Sequence, residues 1–195
     1  MSQAFHPLIG IVEVVLRNQL NSELSSHFAD TDWIVNQKTG FMIDPSLRMT
    51  VRGRTVPNRF LLNEVEKVER RLRQLGLAVT SDKIISDQTF GFWTDLFVKY
   101  HYKLLAGRPI RAFKHLPPGT NRKMISDELT KIRRFRNRIN HNEPICFLGG
   151  NIDFTSAQEA HTSIYNVLQW INPLLLPFIR DLDKVSRQIT LASRI

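Results

Sequence analysis

The residues best equipped for chemistry lie together in RRFRNRINHNEPIC, residues 133 to 146. Histidine titrates near neutrality, so His141 can give or take a proton. Arginine keeps its charge and offers a planar fork of donors, so Arg136 can clamp an anion. Asn137 can orient a histidine or hold an oxygen. The spacing then matters. On a helix over 121–141, at about 100° per residue, Ile125, Leu129, Ile132 and Ile139 form one apolar stripe. Arg136 falls near the middle of it, where a charge must be paired or face a wet cleft. Glu13 is a candidate for a purely structural partner. Arg134, Asn137, Arg138 and His141 share a second face. That face also reads as a solvated basic helix end that complements the helix dipole. Arg136 and His141 are five apart, about 140° around a regular helix, so periodicity alone does not bring them together. A distorted helix end, a long arginine reaching round, or a second protomer would have to do so.

The elements around this helix follow from pattern and punctuation. Pro7 suits the first position of a helix, and LIGIVEVVLRNQLNSEL continues it to about Leu24, with apolar residues on more than one face. Residues 25–57 carry Gly40, Pro45, Gly53 and Pro57 and little periodicity, so they read as a long irregular insertion with room for a helical turn or a strand. From Asn58, the spacing of Leu61, Val65, Val68, Leu72 and Leu75 predicts an amphipathic helix ended by Gly76, with Lys67, Arg70, Arg71 and Arg73 on its other face. Ser81 or Asp82 can cap the aromatic-rich segment that runs to Leu105. Gly91, between two phenylalanines, suggests close approach of a backbone. Pro144 disfavours helix at Glu143, so the 121–141 helix should end near His141. Thr155 or Ser156 with Gln158 or Glu159 resembles a capping box for a helix over AQEAHTSIYNVLQWI. Pro173 breaks that helix, and a further piece reaches about Gln188. The sum is an all-α bundle of four to five main helices in one domain, residues 1–195, without internal repeats.

The bulk properties narrow the classes. With 195 residues, 42% apolar and 23% charged, the chain is globular rather than disordered. A formal charge of +9 favours an anionic partner, nucleic acid foremost. The single Cys146 forbids an internal disulfide and fits a reducing compartment. MSQAFHPLIG has no signal-peptide pattern, and no apolar run approaches the ~20 residues of a membrane span, so the expectation is a cytoplasmic protein.

The RNRINH run, residues 136–141, resembles the R-x-x-x-x-H motif of the HEPN superfamily, in its common form with Asn after the Arg. His141-Asn142-Glu143-Pro144-Ile145 is similar to the ending of the Abi-like, abortive-infection branch. VEVVLRN at 12–18, with Glu13, Arg17 and Asn18, resembles the first-helix motif of that branch. TFGFW at 89–93 and LQWINP at 168–173 resemble its central and last-helix motifs. Asn142 departs from the second histidine that many relatives carry there.

The resemblance implies a HEPN-type helical bundle and, for active members, a metal-independent endoribonuclease. Such proteins often serve as toxins in phage defence and often dimerise into a composite site. In that chemistry the substrate's 2′-hydroxyl attacks its own phosphate. His141 then serves as acid or base, Arg136 stabilises the phosphorane, and Asn137 supports them. Arg134, Arg138, Arg70, Arg71 and Arg73 would hold RNA backbone, while Glu13, Arg17 and Asn18 support the site. Glu13 and Arg17 also read as a simple one-turn salt bridge. One histidine does not easily serve as both acid and base, which favours a homodimer. A toxin also needs an antitoxin, protein or RNA. Histidine and cysteine spacings suggest no metal site, and no cofactor motif occurs. The other histidines are scattered, and the TFGFW aromatics suit a core better than a stacking platform. Two other readings stand beside the nuclease: a non-catalytic RNA-binding or regulatory module with Arg136 as a structural ion pair, and a protein–protein adaptor.

Overall fold

A computed structural model describes residues 1–193. Helix takes 67% of the chain and strand 6%, so the all-α expectation holds in outline. Four helices have fifteen residues or more: α1 (Ser2–Phe28), α3 (Phe60–Gln74), α7 (Arg122–Asn140) and α8 (Thr155–Ile171). The backbone clusters into two compact units, Met1–Leu16 with the chain from Phe113 onward, and Arg17–Ala112.

In the first unit, the start of α1 accompanies α7, α8, α9 (Leu176–Leu182) and α10 (Val185–Ala192). Helix α1 begins at Ser2 rather than Pro7, and Pro7 lies inside its second turn. The apolar face explains this. Phe5, Leu8, Ile9, Val12 and Leu16 are buried on both sides of the proline, and this burial outweighs one lost backbone bond. Phe5 packs on Phe135 with ring centroids 4.5 Å apart. Helix α7 packs along α8. It starts where Asn121 caps it, accepting from the N–H groups of Lys123 and Met124. The capping box foreseen for α8 does not form. Asp153 Oδ1 takes the Thr155 N–H at 2.7 Å instead, and Phe154 occupies the cap position. A short antiparallel hairpin, β3 (Phe147–Leu148) and β4 (Asn151–Ile152), separates α7 from α8. After Pro173 the helical piece divides into α9 and α10 at Asp183 and Lys184.

In the second unit, the insertion after α1 holds both foreseen options: a helical turn, α2 (Trp33–Asn36), and a hairpin, β1 (Arg48–Val51) with β2 (Arg54–Pro57). Helix α3 buries Leu61, Val65, Val68 and Leu72, whereas Leu75 lies past its end and is 60% exposed. The aromatic segment is three short helices rather than one run: α4 (Ser81–Asp87), α5 (Phe90–Asp95) and α6 (Lys99–Leu104). Extended backbone at Gln88, Thr89 and Val98 breaks it, and Thr80, not Ser81, caps α4. Phe90, Phe92 and Trp93 are core. Gly91 answers to no backbone approach. A Cβ there would meet Thr89 Oγ1 at 3.4 Å and the Phe60 ring at 3.9 Å, both ordinary contacts. Among the described residues no helix is long and apolar enough to cross a membrane.

Candidate active site at the end of helix α7

The C-terminus of α7 is set by a backbone motif. His141 is the C-cap, and Asn142 follows in the left-handed region at φ +54°. The Asn142 N–H reaches the Ile139 carbonyl at 3.1 Å and the Glu143 N–H reaches that of Arg138 at 2.9 Å. These two bonds are a Schellman turn, whose left-handed position glycine fills best and asparagine tolerates better than most residues. That is the local reason for asparagine after His141.

Arg136 sits at the edge of the buried stripe, not its middle. Phe135 is buried with Ile132 and Ile139, and it pulls the centre of the stripe away from Arg136. The Arg136 side chain remains 29% exposed, and its Nε donates to Glu13 Oε1 at 2.9 Å. This contact uses one of five donors, so the four N–H bonds on the terminal nitrogens are left for an anion. The pair lines a cleft of about 150 Å³ between the start of α1 and α7, with His6, Gly10 and Asn140 also on its walls. His6 and Asn140 were missed in the sequence. His6, Gly10 and Glu13 repeat at four and three along one face of α1, a pattern that emerges only once the helix extends back past Pro7 to Ser2. A Cβ at Gly10 would meet nothing within 4 Å, so this wall of the cleft has open space beside it.

His141 and Asn137 are exposed, and neither side chain makes a hydrogen bond or ion pair among the described residues. His141 does not line the Arg136 cleft. One chain thus brings Arg136, Glu13 and His6 together and leaves His141 on a different side of α7, as periodicity requires. Comparison with family models, with curated proteins and with solved structures finds no match for this chain.

The arginines foreseen as RNA contacts divide. Arg134 is exposed and makes no ion pair among the described residues. Arg138 is occupied: its guanidinium donates to the Pro144 carbonyl and to Ser156 Oγ at 3.3 Å, and its Nε lies 3.8 Å from Glu143 Oε2. It pins the loop that follows α7. On α3, Arg71 pairs with Asp87 at 3.0 Å and Arg73 with Glu69 at 3.4 Å, while Arg70 is exposed and makes no ion pair. Glu13 and Arg17 do not form the one-turn bridge. Glu13 takes Arg136, and Arg17 donates to the Ser86 carbonyl at 3.0 Å and to Asn18 at 3.4 Å.

Two other histidines pair within the fold. His101 is buried with Nδ1 2.8 Å from Asp95 Oδ2. His161 Nε2 and the Tyr165 hydroxyl both meet Asp183 Oδ2, at 2.6 and 2.8 Å. Burial, reinforced by that carboxylate, pushes the Tyr165 hydroxyl up to about 12. Burial also pushes the half-buried Cys146 thiol up, away from nucleophilic use. Among the described residues no three His, Cys, Asp or Glu side chains are grouped as metal ligands.

Proposed function

We propose that this chain is an endoribonuclease of the HEPN, Abi-like kind, needing no metal and acting as a toxin in phage defence. The observation that carries the reading is the end of α7. There a free histidine and asparagine, one turn apart, occupy one side of the helix, and on another side an arginine's outer donors open into a cleft. His141 moves the proton, Arg136 holds the charge that builds on the phosphorane, and Asn137 orients the histidine or a phosphate oxygen. Glu13 fixes the Arg136 fork in place. Because His141 and the Arg136 cleft lie on different sides of one helix, two copies of the chain would share one RNA, each giving what the other lacks. The protein works in the cytoplasm, and an antitoxin restrains it.

A second reading has its own support. The Arg136–Glu13 ion pair suits a module that binds RNA without cutting it, in which Arg136 is structural. Incubating the purified protein with an end-labelled RNA pool in EDTA separates the two. Fragments ending in 2′,3′-cyclic phosphate support the nuclease. RNA that is bound and stays intact supports the binding module.

A further inference from the structure

Unneutralised charge is not confined to the two basic helices. Residues 45–63 contain four arginines, Arg48, Arg52, Arg54 and Arg59, and no acidic residue. The β1–β2 hairpin displays the first three, and Arg59 sits at the N-cap of α3. The strands pair Arg48 with Pro57 and Val51 with Arg54, and Arg52 and Gly53 turn the chain at φ +48° and +77°. Two left-handed residues in succession make the tight turn that matches strand twist. All four arginines are exposed, and none makes an ion pair among the described residues. The base of the hairpin is firm: the Asn58 N–H donates to the Leu47 carbonyl at 2.8 Å, and both residues are buried.

Two cavities flank that base and meet at residues 57–59. One, of about 430 Å³, is lined by Arg48, Thr55 and Arg59, with the Asp44 carboxylate also on its wall. The other, of about 550 Å³, is lined by Met49, Arg59, Phe60, Asn63, Asp95 and Tyr100. The second combines two aromatic rings, two amides, a guanidinium and the Asp95 carboxylate, one oxygen of which meets His101. Aromatic faces stack on nucleobases, amide and carboxylate read base edges, and arginine takes phosphate. We propose that the β1–β2 hairpin grips single-stranded RNA, its arginines holding successive phosphates while the Tyr100 cavity receives one unstacked base. A duplex would keep its bases stacked and leave that cavity unused. An anionic bilayer would favour apolar side chains at the hairpin tip, and the tip is Arg52–Gly53. The choice of RNA over other single strands rests on the nuclease reading above.

The test is fluorescence anisotropy with the full chain and a labelled RNA of about 12 nucleotides, substituted with 2′-fluorine so that it resists cleavage. Binding by wild type should weaken at least about tenfold in Arg52→Glu/Arg54→Glu, and the slope of log affinity against log salt should flatten by about 1.4 for two lost phosphate contacts. Arg52→Lys/Arg54→Lys should keep most of the affinity. Tyr100→Leu should weaken binding about tenfold with an unchanged salt slope, because stacking releases no counterions. Circular dichroism confirms that each variant is folded. Wild type that fails to bind, a folded double-glutamate variant with unchanged affinity and slope, or tighter binding to duplex RNA or to phosphatidylserine vesicles would overturn the proposal. The two readings fail separately. RNA cleavage lost in His141→Ala while the hairpin variants bind normally sinks the grip alone. Hairpin-dependent binding without cleavage under any condition sinks the nuclease alone.

Discussion

Helices α3 and α7 are built alike and employed differently. Each is amphipathic, carries several arginines and ends in a Schellman turn. In α3, Gly76 takes the left-handed position at φ +66°, with the Leu77 N–H on the Leu72 carbonyl at 2.9 Å; in α7, Asn142 takes it. The difference lies in what surrounds the charges. Around α3, Asp87 and Glu69 neutralise Arg71 and Arg73, and Glu69 also takes Lys38 at 2.6 Å. Around the end of α7, Asn137 and His141 meet no partner, and Arg136 keeps its outer donors. Similar basic composition is thus largely neutralised around α3 and left partly open at the end of α7.

The sharpest way to break this contrast is to mix subunits. Arg136→Ala and His141→Ala should each lower cleavage by about 100- to 10,000-fold. Mixed in equal amounts, the two inactive proteins should regain about a quarter of wild-type activity, since half the dimers are mixed and each holds one intact site of two. No recovery on mixing would place the whole site within one chain. As scaffolds the helices should prove alike: Ile132→Ala on α7 should cost about 2–4 kcal/mol in a denaturant titration, and Val65→Ala on α3 about 1–3 kcal/mol. A much smaller cost on α7 would mean that its stripe is poorly packed.

The contrast was half visible in the sequence. The stripes of both helices were legible because a 3.6-residue repeat records which face is buried, and Gly76 and Pro144 punctuate their C-terminal ends, whereas the Asn121 cap of α7 went unread. The partners were not legible, because pairing is tertiary. Nothing local connects Arg71 to Asp87, or distinguishes Arg138, which clasps Pro144 and Ser156, from Arg134, which is free. Glu13 could be guessed for Arg136 but His6 could not, since a lone histidine near the N-terminus resembles any surface residue until α1 extends back to Ser2. The aromatic segment misled for a related reason. Its apolar density hides the breaks at Thr89 and Val98, which local capping and extended backbone impose.

Two smaller effects refine the comparison. Asn142→Gly should stabilise by up to about 1 kcal/mol, because glycine enters the left-handed region without a Cβ clash, and Gly76→Ala should destabilise by about 1–2 kcal/mol for the converse reason. Thermal melts in parallel check both, and a destabilising Asn142→Gly or a stabilising Gly76→Ala would show that the turns are not equivalent. Smallest of all, Arg71→Ala should change stability by less than about 1 kcal/mol, as expected of an exposed ion pair.

The most direct measurement is RNA cleavage in EDTA by three proteins purified together: wild type, His141→Ala and Arg71→Ala. Wild type and Arg71→Ala should cut within about twofold of each other and leave 2′,3′-cyclic phosphate ends, while His141→Ala leaves the RNA intact. Equal cutting by His141→Ala would contradict a reactive end on α7.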